Sequence, residues 1–171
     1  DFDGFVVGSD QVWRPRYFGR IEDAFLDFAR GWDVKRVSYA ASFGTDSLEF
    51  EAETMRTCAD LLSHFDAVSV REDSAVKMCD EWLDFDRAVH VPDPVMLADV
   101  SDYQRIAERS RVRRAKGRIM TYILDPSENK KAIVCQVRKW TGKDVEDYSV
   151  NPHDRRVSLD ERVVPPLEEW L

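Results

Sequence analysis

The sequence predicts an α/β fold, a Rossmann-like parallel sheet with covering helices. Short apolar runs alternate with segments of helical period along the N-terminal part of the chain. Such alternation with short connections is the mark of parallel strands joined by right-handed crossovers. Four of the apolar runs also end in polar or small residues: Ser9-Asp10-Gln11, Ser42-Phe43-Gly44, Arg71-Glu72 and Asp93. Open α/β sheets gather ligands beyond the carboxyl ends of their strands, so the recurrence carries more weight than any single cluster.

The first strand is Phe5 to Val7, three apolar residues that break on Gly8 and give way to Ser9, Asp10, Gln11 and Trp13. Tyr17 to Phe28 holds aromatic and apolar residues without a clean period. It reads as an irregular cover for the sheet, with Phe25 to Phe28 as a candidate edge strand. Arg36 to Ala41 is the second strand. Asp46 with Glu49 has the spacing of a capping box, and Leu48, Ala52, Met55, Ala59 and Leu62 then follow at helical spacing as one apolar face. Ala67 to Val70 is the third strand, after which Asp73 or Ser74 caps a helix with Ala75, Cys79 and Trp82 on one face. Ala88 to Val91 is the fourth, and it stops at the rigid turn Pro92-Asp93-Pro94.

A further helix starts near Ser101, with Gln104 at capping-box distance, and runs into Arg109, Arg111, Arg113, Arg114, Lys116 and Arg118. Such a run most often forms a solvated linker, and its other use is to face an anionic ligand. The cycle then restarts with a strand at Ile119 to Leu124, a turn at Asp125-Pro126 and a helix from Ser127 to Thr141. That helix turns Ile133, Val137 and Trp140 inward and ends at Gly142. A weaker strand, Val145 to Val150, leads into the loop at Asn151-Pro152-His153. The expected organisation is an N-terminal unit over residues 1–112 and the start of a second α/β unit over 113–171.

Composition narrows the function classes. The 171 residues carry a net charge of −8 and a pI near 5.0, with 43% hydrophobic and 34% charged residues. This is a globular composition, and it excludes a general nucleic-acid coat. No apolar run reaches the roughly 18 residues of a membrane span. The three cysteines, Cys58, Cys79 and Cys135, are far apart and lack metal-ligand spacing. They read as buried, reduced thiols of a cytoplasmic protein. His64, His90 and His153 show no metal spacing, and Gly8 and Gly44 are isolated, so no phosphate-cradling glycine loop is present. The chain opens at Asp1 without Met and stops within PPLEEWL, which suggests the first turn of a helix. It reads as a piece of a longer protein.

Among the candidate site residues, Arg71 is the sharpest. A guanidinium just past a buried strand grips a carboxylate or phosphate through a two-pronged fork. The competing role is an ion pair with Glu72, Asp73 or Asp93 that only ties loops together. Asp10 is the candidate acid or base, against a purely structural cap.

The motifs GSDQVW (Gly8 to Trp13), SYAASFG (Ser38 to Gly44), SVRE (Ser69 to Glu72) and VPDPVML (Val91 to Leu97) resemble, in order and spacing, polysaccharide pyruvyl transferase family proteins. TYILDPSENK (Thr121 to Lys130) and PPLEEWL resemble that family's second half. The resemblance implies a GT-B-like two-domain arrangement, here with the second domain truncated, and a site in the cleft between domains. It implies transfer of the enolpyruvyl part of phosphoenolpyruvate onto sugar hydroxyls as a ketal, in polysaccharide synthesis, with release of phosphate. The implied partners are phosphoenolpyruvate and a sugar or polysaccharide precursor, with no metal, no further cofactor and no nucleic acid.

By the same resemblance Arg71 grips the phosphoenolpyruvate anion and Asp10, Gln11 and Trp13 line the cleft, while Ser9, Ser42, Phe43, Gly44, Glu72 and Asp93 are further substrate-binding candidates by their place at the strand ends. Trp13 stacks on a sugar ring, against the alternative that it is core, and Asp10 is the catalytic candidate. The family's first strand precedes Asp1, and its serine-phenylalanine-histidine-glycine segment lies beyond Leu171. The fragment alone is therefore expected to lack part of the active site, and apolar surface left bare by missing strands is expected to favour self-association. The competing classes are a nucleotide-sugar glycosyltransferase of the same overall fold and a non-catalytic binding or assembly module.

Overall fold

A computed structural model describes residues 2–109, 117–123 and 126–147. Contacts divide the chain into two units, Asp1–Ala98 and Asp99–Leu171. The sequence reading sets the boundary at 112, whereas by contacts the helix after Ala98 groups with the second unit.

The first unit is a sheet of four parallel strands in sequential order: β1 (Gly4–Val7), β2 (Lys35–Ala41), β3 (Ala67–Val70) and β4 (Val89–His90). Helices α1 (Ala52–Ser63) and α2 (Asp73–Leu83) form the crossovers from β2 to β3 and from β3 to β4. The expected parallel α/β sheet is thus present. Between β1 and β2 the chain makes 3-10 turns at Pro15–Tyr17, Ile21–Phe25 and Asp27–Ala29. Phe25 to Phe28 is accordingly not an edge strand, because Leu26 adopts the left-handed conformation at φ 65° and breaks extension.

The core lies between the sheet and α1 and α2. Cys58, Leu61 and Leu62 of α1 meet Ala75, Met78, Cys79 and Leu83 of α2, with Val68 and Val70 of β3 and Ala41 of β2. Trp13, Phe25, Phe43, Phe50 and Phe65 complete it. Two predicted helix starts are displaced. Helix α1 begins at Ala52, and Leu48 is exposed. The reason is that Glu49 does not turn back to cap a helix; its carboxylate takes the fork of Arg14 at 2.8 and 3.0 Å. Helix α2 begins at Asp73 after Glu72, whose side chain is engaged elsewhere and does not cap it.

In the second unit, α3 (Val100–Ala107) is capped by Asp99, which accepts from the Ser101 backbone at 2.8 Å, and not by Ser101 as the spacing suggests. Strands β5 (Ile119–Thr121) and β6 (Val145–Asp147) pair in parallel and flank α4 (Glu128–Thr141). Gly142 ends α4 at φ 65°, as read from sequence, whereas Ser127, read as the first helical residue, stands just before the helix as its cap. Ile133 and Trp140 are exposed rather than inward. Arg118 pairs with Glu146 at 3.2 Å. Most of the basic run, Leu124-Asp125, His153 and the closing PPLEEWL lie outside the described residues. No helix among the described residues is long and apolar enough to cross a membrane.

Candidate functional site

In a parallel sheet, loops that follow the strands emerge at one edge. Here two backbone devices tighten that edge. Gly8 sits at φ 115°, and a Cβ on it would fall on the carbonyl oxygen of Tyr39. Only glycine lets the β1 loop pass this close to β2. In β2 the register shifts between Ser38 and Ala41, with Ala40 at φ 50°. Ser69 Oγ accepts from the Ala40 backbone at 3.1 Å, and Ser38 Oγ accepts from the Ser69 backbone at 3.0 Å. A bulge of this kind re-aims the residues that follow it. Those residues are Ser42 and the loop to Gly44. The serine pair is a structural detail that the strand pattern of β2 and β3 does not disclose.

The loops are then laced together. The Asp10 carbonyl accepts from the backbones of Val12 at 2.8 Å and Ser42 at 2.9 Å, and Trp13 donates its backbone N–H to the Ser42 carbonyl at 3.1 Å. Arg71 donates its own backbone N–H to the Ala41 carbonyl at 3.0 Å. Polar side chains from all four strand ends converge as a result. The Arg71 guanidinium donates to Asp93 Oδ2 at 3.1 Å, Glu72 Oε1 at 3.2 Å and Asp10 Oδ1 at 3.4 Å. Ser9 Oγ donates to Asp93 at 3.3 Å, and Ser42 Oγ donates to Glu72 at 2.8 Å. His90 Nε2, which sequence reasoning sets aside, reaches the Arg71 carbonyl at 3.0 Å.

Electrostatics follow from these contacts. Partial burial pulls the Arg71 guanidinium down, but hydrogen bonds to Asp93 and Glu72 outweigh this and hold it above its ordinary value. The Asp93 carboxyl is held below the usual range by the Val95 backbone N–H first, then by Arg71 and Ser9. One guanidinium faces three carboxylates. Among the described residues no group of His, Cys, Asp and Glu is arranged to hold a metal ion.

Not every predicted site residue reaches this edge. Trp13 is fully buried, stacked on Phe25 with ring centroids 4.9 Å apart and 11° between planes, and its Nε1 donates to the Ala24 carbonyl at 3.2 Å. The expectation that it stacks on a sugar is corrected: no face of the indole is open, because Phe25 of the 3-10 segment, Phe43 after β2 and Phe65 after α1 pack around it. Phe43 is equally buried, in ring contact with Trp13, Phe50 and Trp82. Ser42 is buried beneath the site and acts through Glu72 and the Gly44 backbone. Gln11 is half-buried and accepts from Arg14 at 3.2 Å. Gly44, at φ 66°, leaves room for the Gln11 side chain, which a Cβ would strike.

Arg14 is the residue that sequence reasoning missed. Bound to Glu49 and Gln11 and lying 5.0 Å from the Tyr17 ring centre, it ties the β1 loop to the β2 loop. Arg14 stands one residue after Trp13 and 35 before Glu49, a separation that no local pattern reveals. A cavity of about 350 Å³ opens instead by the start of β2 and the end of α1, lined by Phe25, Leu26, Trp32, Arg36, Leu61 and His64. It includes none of the strand-end residues.

Comparison with known proteins bears on the same segment. No curated protein and no solved structure matches the chain significantly. The family model described as Polysaccharide pyruvyl transferase matches residues 1–166 of the 171, a span that holds all four strand-end clusters and most of the second unit. The chain belongs to the polysaccharide pyruvyl transferase family.

Proposed function

We propose that this protein is a pyruvyl transferase that moves the pyruvyl group of phosphoenolpyruvate onto two hydroxyls of a sugar or polysaccharide precursor. Two C2–O bonds form to the sugar, the bond from C2 to the phosphate oxygen breaks, and phosphate leaves. One hydroxyl proton balances the methyl group formed from the methylene, and the other balances the departing phosphate. This reading calls on no metal or organic cofactor. It places the enzyme in the cytoplasm, where phosphoenolpyruvate is available as donor, and gives the whole enzyme a GT-B-like two-domain arrangement. Exposed Phe2 and Val6 beside the open edge of β1 support self-association as a further part of it.

The observation that carries the reading is the convergence of Ser9, Asp10, Arg71, Glu72 and Asp93 from three loops at the carboxyl edge of the sheet, in a chain of this family. Arg71 is the group for the donor's anion, since oriented cations at a developing negative charge supply much of the barrier reduction in such reactions. Asp10, 82% exposed, is the acid or base candidate. Ser42 and Gly44 shape the floor from below.

A second reading has its own observation. Arg71 already holds three carboxylates, as a loop-tying residue of a non-catalytic module would. Calorimetry of phosphoenolpyruvate with the longest natural form of the protein and its Arg71→Ala variant separates the two. Saturable binding that the variant loses supports transfer. Binding that survives the substitution assigns Arg71 to structure, and no binding at millimolar ligand favours the non-catalytic module.

A further inference from the structure

The three carboxylates around Arg71 are not equivalent. Asp93 is fixed from three sides: Val95 donates its backbone N–H to Oδ1 at 3.0 Å, Ser9 donates to Oδ2 at 3.3 Å, and the guanidinium donates to Oδ2. Glu72 is fixed by Ser42 Oγ at 2.8 Å as well as by the guanidinium. Among the described residues, the Asp10 carboxylate has Arg71 alone, at the longest of the three distances and with the greatest exposure, 82% against 33% for Asp93 and 38% for Glu72. The Asp10 backbone, by contrast, is pinned through its carbonyl to Val12 and Ser42. Its side chain can therefore leave by rotation about its own bonds, without moving the loop, on the fast timescale of exposed side chains.

One guanidinium amid three acids takes up a further anion only by giving up one of them. We infer that the Asp10 carboxylate is an internal placeholder on Arg71, evicted when a phosphate- or carboxylate-bearing ligand takes Nη2, while Glu72 and Asp93 keep the guanidinium in place. The inference rests on the proposed function for the identity of the donor, but the exchange itself concerns the anion class. It makes opposite predictions for two acids of the same cluster. Removing the placeholder strengthens anion binding, and removing a brace weakens it.

The test titrates phosphoenolpyruvate, and separately inorganic phosphate, into the longest natural form of the protein and its Asp10→Asn, Asp93→Asn and Arg71→Ala variants. An exposed ion pair of this kind is worth roughly a two- to five-fold change in an equilibrium constant, so Asp10→Asn is expected to tighten binding by about that factor. Asp93→Asn is expected to weaken it and Arg71→Ala to abolish it. A crystal structure with phosphoenolpyruvate bound is expected to show Asp10 out of hydrogen-bond reach of Arg71, with the Glu72 and Asp93 contacts kept.

Equal tightening in both acid variants would mean that only the general negative field matters, and it would overturn the placeholder. So would unchanged or weaker binding in Asp10→Asn while the wild type binds through Arg71; that result leaves pyruvyl transfer standing. Arg71-dependent phosphate binding that Asp10→Asn tightens, with no pyruvyl transfer by the wild type to any sugar acceptor, keeps the placeholder and removes the proposed reaction. No binding of either anion to any form removes both.

Discussion

Replacing Trp13 tests whether this residue of the family-like GSDQVW motif serves the core or a ligand. The side chain is fully buried, packs on Phe25, Phe43 and Phe65 at centroid distances of 4.9, 5.6 and 6.3 Å, and satisfies the Ala24 carbonyl. Truncating a buried tryptophan to alanine costs about 3–5 kcal/mol through lost transfer energy and the cavity left behind. Trp13→Phe keeps most of the aromatic packing but leaves the Ala24 carbonyl without its donor, which costs about 1–3 kcal/mol. Urea unfolding followed by far-UV circular dichroism reads both values. The alanine variant is expected to lower the midpoint severely, and the phenylalanine variant to fall between it and the wild type. Stability unchanged within about 0.5 kcal/mol in Trp13→Ala, the range of an ordinary surface substitution, together with weakened sugar binding, would refute the reasoning and return Trp13 to the ligand-facing role.

Other consequences are independently measurable. Gly8→Ala places a Cβ on the Tyr39 carbonyl at φ 115°, and strained backbone alone costs about 1–3 kcal/mol; thermal unfolding should show a clear loss, and an unchanged Tm would mean that the β1 loop does not pass so close. Burial pushes the thiols of Cys58 and Cys79 up to about 12, whereas Cys135 is exposed. Ellman's reagent at pH 8 should therefore modify one thiol in the folded protein and all three after denaturation. Asp93 is held low by Val95 and Arg71, Glu49 by Arg14, and Asp66 by Lys35 and the Arg36 backbone. Because their folded values lie below the unfolded ones, they contribute stability that is full above the ordinary carboxylate range and is lost as pH falls through the depressed values. An acid titration of unfolding should show this loss, and Asp93→Asn should reduce its size.

Much of the fold was legible because burial writes a period into the chain. The strand at Phe5 to Val7 is a continuous apolar run, those at Arg36 to Ala41 and Ala67 to Val70 are mainly apolar and broken only by Ser38 and Ser69 after Arg36, and α4 carries its own stop at Gly142. Parallel order follows from alternation, so the meeting of Ser9, Asp10, Arg71, Glu72 and Asp93 at one edge is also written in the sequence. Local spacing misled where a side chain had a stronger distant partner. Glu49 looks like the closing residue of a capping box, yet it pairs with Arg14 thirty-five positions away, and α1 starts later as a result.

What the sequence by itself determined, then, is the strand–helix alternation, the family and the set of polar groups at the strand ends. Only the tertiary structure decided which of those groups face one another and which are core. Trp13 and Phe43 carry no mark separating a ligand-facing ring from a buried one. Their burial comes from Phe25, Phe50, Phe65 and Trp82, contributed by separate segments of the chain. Likewise, sequence leaves Arg71 between a ligand-gripping fork and an ion pair with Glu72, Asp73 or Asp93, and only the folded loops bring Asp10 and Asp93 to it from 61 and 22 residues away. Side-chain partners at such separations are set by how loops pack at the sheet edge, a property of the assembled backbone that no window of sequence contains.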